Sequence, residues 1–131
     1  RLYTQVRPRA DYARSLNILR YARQLSPALA IKSGIMVGMG ESRAELSAVF
    51  KDLALAGCDI LTLGQYLAPR RDGFYVPVAR FVEPGEFLRL KKEARDSGIK
   101  TVQSAPLARS SFLAEESFHD HCARRVAAAP A

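Results

Sequence analysis

The stretch KSGIMVGMGE, Lys32 to Glu41, decides the fold class. Its apolar run through Ile35 and Val37 ends in Gly38 and Gly40, and a helix signal follows at once. Ser42 and Glu45 stand in the S-x-x-E spacing of a capping box, in which each side chain satisfies a free amide near the helix start. Leu46, Val49, Phe50 and Leu53 then recur at i, i+3, i+4 and i+7, and Gly57 closes the helix. A strand that turns through glycines into a helix is half of a strand-helix-strand unit.

The other half follows as DILTLGQYL, Asp59 to Leu67. It is apolar on both faces, as a parallel strand covered by helices should be. Upstream, Asp11 suits the N-cap of a helix carrying Leu16, Leu19, Ala22 and Leu25 on one face, which Ser26-Pro27 stops. Downstream, a proline- and arginine-rich loop from Pro69 to about Val82 leads to Pro84, well placed at a first helical position. That helix is predicted to show Phe87, Leu88, Lys91 and Ala94 on its apolar face before Gly98. The last strand reads KTVQSAPL, Lys100 to Leu107, followed by ARSSF, with Ser111 a candidate cap for a terminal helix. The order α-β-α-β-α-β predicts an α/β fold with parallel strands and helical crossovers.

Composition sets the outer bounds. A chain of 131 residues, 48% hydrophobic and 25% charged, suits one soluble domain. No apolar run approaches the roughly 18 to 20 residues of a membrane span, and no stretch reads as a signal peptide. The chain opens on Arg1 in what reads as mid-domain sequence, so a fragment or processed chain is expected. The formal charge of +7 favours acidic partners without choosing among nucleic acid, an anionic cofactor and an acidic carrier protein. Cys58 and Cys122 make no disulfide framework or CxxC site, and Cys58 is expected as a buried thiol. HDHC, His119 to Cys122, has metal-capable side chains but no second half-site.

Ligands on parallel α/β folds sit at the carboxyl ends of the strands. That rule singles out VGMGE, GQYLAP and APLARSSF. In the first, Gly38 and Gly40 permit close backbone approach, and the helix beyond offers amides and a positive dipole end. It is no Walker loop, since no G-K-[ST] follows. Glu41 also suits a purely structural task at the helix start. Lys32, on an apolar strand, would suit a Schiff base if its amine were desolvated, though it also reads as a residue at the strand's entrance. Gln65 and Tyr66 suit contact with a purine or ribose, or simply end a buried strand. Arg109 suits a carboxylate or phosphate, with Ser110 and Ser111 beside it.

Taken in order, LYTQVRPRADYARSL, KSGIMVGMGE, LTLGQYLAP, VPVARFVEPGEF and SAPLARSSF resemble the lipoyl synthase family of radical S-adenosylmethionine enzymes over roughly residues 2 to 118. The resemblance is to the C-terminal half of the catalytic core, and it implies half of a partial (β/α)6 barrel over residues 1–118, with 119–131 a flexible tail. It implies two 4Fe-4S clusters and S-adenosylmethionine in the full-length enzyme, one cluster generating a 5′-deoxyadenosyl radical and the other donating sulfur to C6 and C8 of a protein-bound octanoyl chain. By position, Lys32, Ser33, Met36, Gly38 and Glu41 would line the S-adenosylmethionine site, with Gln65, Tyr66 and Leu67 at the adenine. Ser110 or Ser111, with Arg109 adjacent, would give the auxiliary cluster its oxygen ligand. A hard, exchangeable ligand suits a cluster that must be dismantled. The implied partners are an octanoylated lipoyl carrier domain or a glycine-cleavage-type carrier protein and an electron donor, with no nucleic acid and no membrane. The implied location is the cytoplasm or an organellar matrix.

The cluster cysteines of that family have no counterpart here, so this chain alone is expected to be inactive, with no catalytic residue of its own. It also departs from the family at Ala105 and Phe112, where glycine and tyrosine are usual, and in the longer APRRDGFYVPV loop. Two rival readings stand beside it. A diverged barrel fragment could act as an interaction module through a free strand edge, or Lys32 could serve an aldolase-like enzyme.

Overall fold

The computed structural model describes residues 1–70, 75–111 and 113–127. Eight elements follow one another: helix α1 (Tyr3–Val6), α2 (Tyr12–Leu25), strand β1 (Lys32–Val37), α3 (Arg43–Leu55), β2 (Ile60–Gln65), α4 (Pro84–Asp96), β3 (Thr101–Ser104) and α5 (Ala114–Ala127). The strands form one sheet in the order β1-β2-β3, parallel throughout, as the alternating order predicts. Lys32 pairs with Ile60 and Val37 with Gln65, while Ile60 pairs with Thr101. Both faces of β2 are buried, in keeping with its continuous apolar sequence.

The helix starts follow their sequence signals. Asp11 accepts from the Arg14 amide at 2.6 Å, and Ser42 and Glu45 close a complete capping box. Pro84 opens α4, where its missing N–H costs no hydrogen bond. Gly57 and Gly98 take φ of +82° and +108° just past their helices, the left-handed ending that glycine favours.

One face of the sheet holds the core. Ile35, Val37, Leu61, Leu63 and Val102 pack with Leu16 of α2, with Leu46, Phe50 and Leu53 of α3, and with Phe87, Leu90 and Ala94 of α4. Two helical faces differ from the expected ones. Leu25, the last residue of α2, is 68% exposed, and of that row only Leu16 is buried, with Leu19 partly so. On α4, Leu88 is 67% exposed and Leu90 takes the inward position, since i, i+3 and i+7 from Phe87 give Leu90 and Ala94.

The opposite face carries Lys32, Gly34, Met36, Ile60, Thr62, Gly64 and Thr101. Helix α5 lies against β2 and β3 there. It runs through position 118, where a boundary with a flexible tail was expected, and it buries Ser117 and His121. Ser111 does not cap it, because the helix opens three residues later. Phe112, the RDGF part of the long loop (71–74) and the end of the tail (128–131) lie outside the described residues.

At the amino ends of the strands, Arg23 donates to the carbonyls of Pro27, Leu29 and Gly57 and pairs with Asp59. Asp59, 6% exposed, also accepts from the Ile31 amide at 3.0 Å. This clasp joins α2, the β1 entrance and the β2 entrance.

Candidate functional site

Gly38 and Gly40 adopt φ of +98° and +93°, so the turn after β1 needs glycine twice. At Gly38 space matters as well. A Cβ there would stand 2.5 Å from the Arg80 carbonyl oxygen and would overlap the Gln65 amide. The turn's free amides are already taken. Glu41 accepts from Gly38 N at 2.7 Å and from Met39 N at 2.9 Å, so the carboxylate seals the turn. The helix end behind it is also occupied, by the Ser42–Glu45 box and by Arg1, whose guanidinium grips both Glu45 oxygens and the Gly40 carbonyl. Those hydrogen bonds from Arg1 and the Ser42 amide hold the Glu45 carboxyl at a pKa of about 2, well below its ordinary value. The turn is therefore not an open anion cradle.

Gln65 has a task inside the protein. It is 4% exposed; its amide nitrogen donates to the Tyr66 and Arg80 carbonyls, and its oxygen accepts from Val82 N at 2.8 Å. A side chain so engaged is not free for a purine. The Tyr66 hydroxyl likewise donates to the Val76 carbonyl at 2.8 Å, and Ala79 N and Arg80 N donate to Gly38 O. Arg80 pairs bidentately with Glu86. Together these contacts tie the described part of the post-β2 loop down over the strand ends.

The third strand end forms a strap. Ala105 N donates to Leu63 O and Pro106 O accepts from Gln65 N, so the chain leaves β3 and crosses β2. The Ala108 carbonyl sits against Gly64, where a side chain would find no room. The Arg109 guanidinium donates back to Ala108 O at 2.7 Å. Ser110 and Ser111 end the strap exposed, and the Ser110 carbonyl accepts from Lys32 Nζ at 2.7 Å. Lys32 is the first residue of β1, and its amine is spent on this exposed contact rather than desolvated, which removes the basis for a Schiff base.

A groove of about 750 Å³ runs along the free edge of β1, between α1, α2 and α3. That volume lies within the ordinary range of small-molecule sites. Ser33, Met36, Glu41 and Tyr66 border it, beside Gly34 and Met39. The structure thus brings together four of the eight residues singled out for S-adenosylmethionine, and Met36 is 46% exposed there. Lys32, Gly38, Gln65 and Leu67 lie outside its lining. No pattern of types distinguishes Gln65 as a tether, but its sequence place opposite a glycine turn is the available signal.

The cysteines have no part in this site. Cys58 is buried at the other end of the sheet, and burial pushes its thiol up to about 11, away from the thiolate that iron requires. Cys122 lies half-buried on α5. Among the described residues no group of three or more His, Cys, Asp or Glu comes together to hold a metal. The exposed seryl pair could supply one oxygen ligand, but the residues present do not by themselves fit an iron–sulfur cluster.

These features define a parallel α/β unit with a ligand-sized groove and a seryl strap at its strand ends. No family model matches the chain. Curated relatives do. It is 49% identical over 120 residues to a lipoyl synthase of Acidithiobacillus ferrooxidans, covering 92% of this chain and 37% of that protein. It is 49% identical over 127 residues to one from Rubrobacter xylanophilus, covering 97% and 38%. It is 53% identical over 115 residues to one from Citrifermentans bemidjiense, covering 88% and 38%. The chain is a sequence relative of the lipoyl synthases along nearly its whole length, and it spans less than two fifths of the length of these three.

Proposed function

We propose that this chain is the C-terminal part of a lipoyl synthase barrel, contributing one wall of the S-adenosylmethionine site and the seryl ligand of the auxiliary cluster. The observation that carries the reading is the 45% to 53% identity to lipoyl synthases across about nine tenths of the chain. The groove beside β1 supports it, because Ser33, Met36, Glu41 and Tyr66 border one space.

In this reading the chain's own residues bind and orient. Gly34 leaves the β1 face open, Met36 offers an apolar, polarisable contact, and the Ser33 hydroxyl offers a hydrogen bond. Glu41 acts through the backbone by fixing the Gly38-Met39 turn. Gln65 acts in the same way by holding residues 80 to 82 over the strand end. The clusters and S-adenosylmethionine, bound in the longer protein, would supply the radical chemistry and the sulfur. The substrate would be an octanoyl group on an acidic carrier domain. The exposed Arg7, Arg9, Arg14 and Arg20, with Asp11 the only acid among the first thirty residues, suit such a partner.

The test uses the whole gene product with its clusters reconstituted. An octanoylated carrier domain, S-adenosylmethionine and a reductant should yield lipoylated carrier and 5′-deoxyadenosine. Absence of both products from a cluster-loaded protein would sink the proposal.

A second reading, an interaction module, is favoured by the free edge of β1 and by Ile18, Tyr21 and Leu25, which stand exposed along the outer side of α2.

A further inference from the structure

We propose that Lys32 is a positioning residue that tethers the Arg109–Ser110–Ser111 strap to β1 and so sets where the seryl pair stands. The functional meaning rests on the reading of that pair as a cluster ligand; the tether itself does not.

The strap leaves β3 and meets the sheet at three successive places. It is anchored to β2 by the Ala105 N to Leu63 O and Gln65 N to Pro106 O bonds. It then presses the Ala108 carbonyl onto Gly64, and Ala108 is buried by that contact. Its third anchor is on β1, where Lys32 Nζ reaches the Ser110 carbonyl at 2.7 Å, across 78 positions of sequence. Beyond Ser110 the chain turns at Leu113, with φ of +48°, into α5. Without the lysine, nothing among the described contacts joins the seryl pair to the strand that borders the groove.

The geometry explains the residue types. Lys32 and Gly34 share one face of β1, since alternate residues point the same way. A Cβ at Gly34 would meet only the Thr62 carbonyl oxygen, at 3.8 Å, so that face is open to a long side chain lying along it. A flexible four-carbon stem with three rotatable donors can reach a carbonyl that a shorter polar side chain at the strand's first residue would miss. The contact is to main chain, so it fixes the backbone and leaves both seryl hydroxyls uncommitted.

The tether is tested by trypsin cleavage at the Arg109–Ser110 bond, followed by mass spectrometry in wild type, Lys32→Met and Lys32→Arg. Cleavage of a native chain follows the population of the locally opened strap. Loss of a charge-assisted hydrogen bond should raise that population about tenfold in Lys32→Met. Lys32→Arg, which keeps a long cationic donor, should cut close to the wild-type rate. Cleavage after Arg95, on α4, serves as the internal control and should not change. Equal cutting after Arg109 in wild type and Lys32→Met would overturn the proposal, as would Lys32→Arg cutting as fast as Lys32→Met. The cluster reading fails separately. In the cluster-loaded full-length protein, an unchanged iron spectrum in both Ser110→Ala and Ser111→Ala would refute it while leaving the cleavage result standing.

Discussion

Replacing Gly38 by alanine puts two costs into one methyl group, and they can be measured apart. The first is backbone strain, because φ of +98° is a conformation that side-chain-bearing residues rarely adopt; such positions cost about 1–3 kcal/mol. The second is steric. The new Cβ would lie 2.5 Å from Arg80 O and overlap the Gln65 amide, so the Gln65 side chain must move. Moving it breaks its bonds to Arg80 O and Val82 N, at 3.1 and 2.8 Å, each contributing about 0.5–1.5 kcal/mol. The expected total is about 2–6 kcal/mol, a large part of the roughly 5–15 kcal/mol that holds an ordinary domain together. Gly40→Ala is the control. Its φ of +93° carries similar strain, but its Cβ would meet only the Ala79 methyl at 3.7 Å, so about 1–3 kcal/mol is expected. Urea unfolding followed by circular dichroism gives both values. In a Gln65→Ala background the cost of Gly38→Ala should fall by about 1–2 kcal/mol, because part of the obstruction is gone. Equal destabilisation by the two glycine variants, or an unchanged cost in the Gln65→Ala background, would refute the account of Gly38 as a packed position.

Three further outcomes follow from other parts of the molecule. Arg23→Met leaves Asp59 buried without its cation, and a loss of about 3–5 kcal/mol is expected by urea unfolding; Arg23→Met combined with Asp59→Asn should recover part of it. The depressed carboxyl of Glu45 gives a pH signature. Its contribution is fully present above its unfolded value near 4.5 and is lost as pH falls through about 2, so thermal melts of wild type should decline across that window more steeply than melts of Glu45→Gln. The free edge of β1, with Ile18, Tyr21 and Leu25 exposed nearby, should make the 131-residue chain self-associate, seen as a concentration-dependent sedimentation coefficient; one constant value for a monomer would contradict it.

Local signals were legible wherever one residue type has one physical use. The capping box at Ser42 and Glu45, Pro84 at a helix start, and Asp11 as N-cap all stand where the sequence puts them. So does the parallel order, because strands separated by helices leave few other connections. What was less legible depends on tertiary partners. Leu88 and Leu90 are identical in propensity, and only the direction of α4 over the sheet buries one and exposes the other. By residue type Glu41 suits the helix start and Gln65 suits either a purine contact or the end of a buried strand; only the resemblance makes them S-adenosylmethionine contacts. Their partners are the backbone of Gly38, Met39, Arg80 and Val82, and unlike a helix cap these bonds follow no recurring sequence spacing. The groove at β1 was not legible in any one motif, since its lining comes from α1, α2, β1 and α3 together with Tyr66, across more than sixty residues.

The two faces of the sheet serve different neighbours. On the helix-covered face, β1 and β2 contribute Ile35, Val37, Leu61 and Leu63 to the core and Gln65 as a tether, while Ser33 borders the groove. On the other face the sequence is of a different kind. Lys32, Gly34 and Met36 occupy β1, while Thr62, Gly64 and Thr101 lie beneath the strap and α5. The hydroxyls of Thr62 and Thr101 are buried there with no hydrogen-bond partner among the described residues. A buried hydroxyl left in that state costs about 1–3 kcal/mol, so a face chosen only for packing against α5 would favour valine at both positions. The glycine at 64, which leaves room for the Ala108 carbonyl, and the lysine reaching the Ser110 carbonyl fit this face to the strap that crosses it beside α5. On the packed side, Gln65 and Gly38 hold the strand ends: Gln65 bonds to Arg80 O and Val82 N, and Gly38 O accepts from Ala79 N.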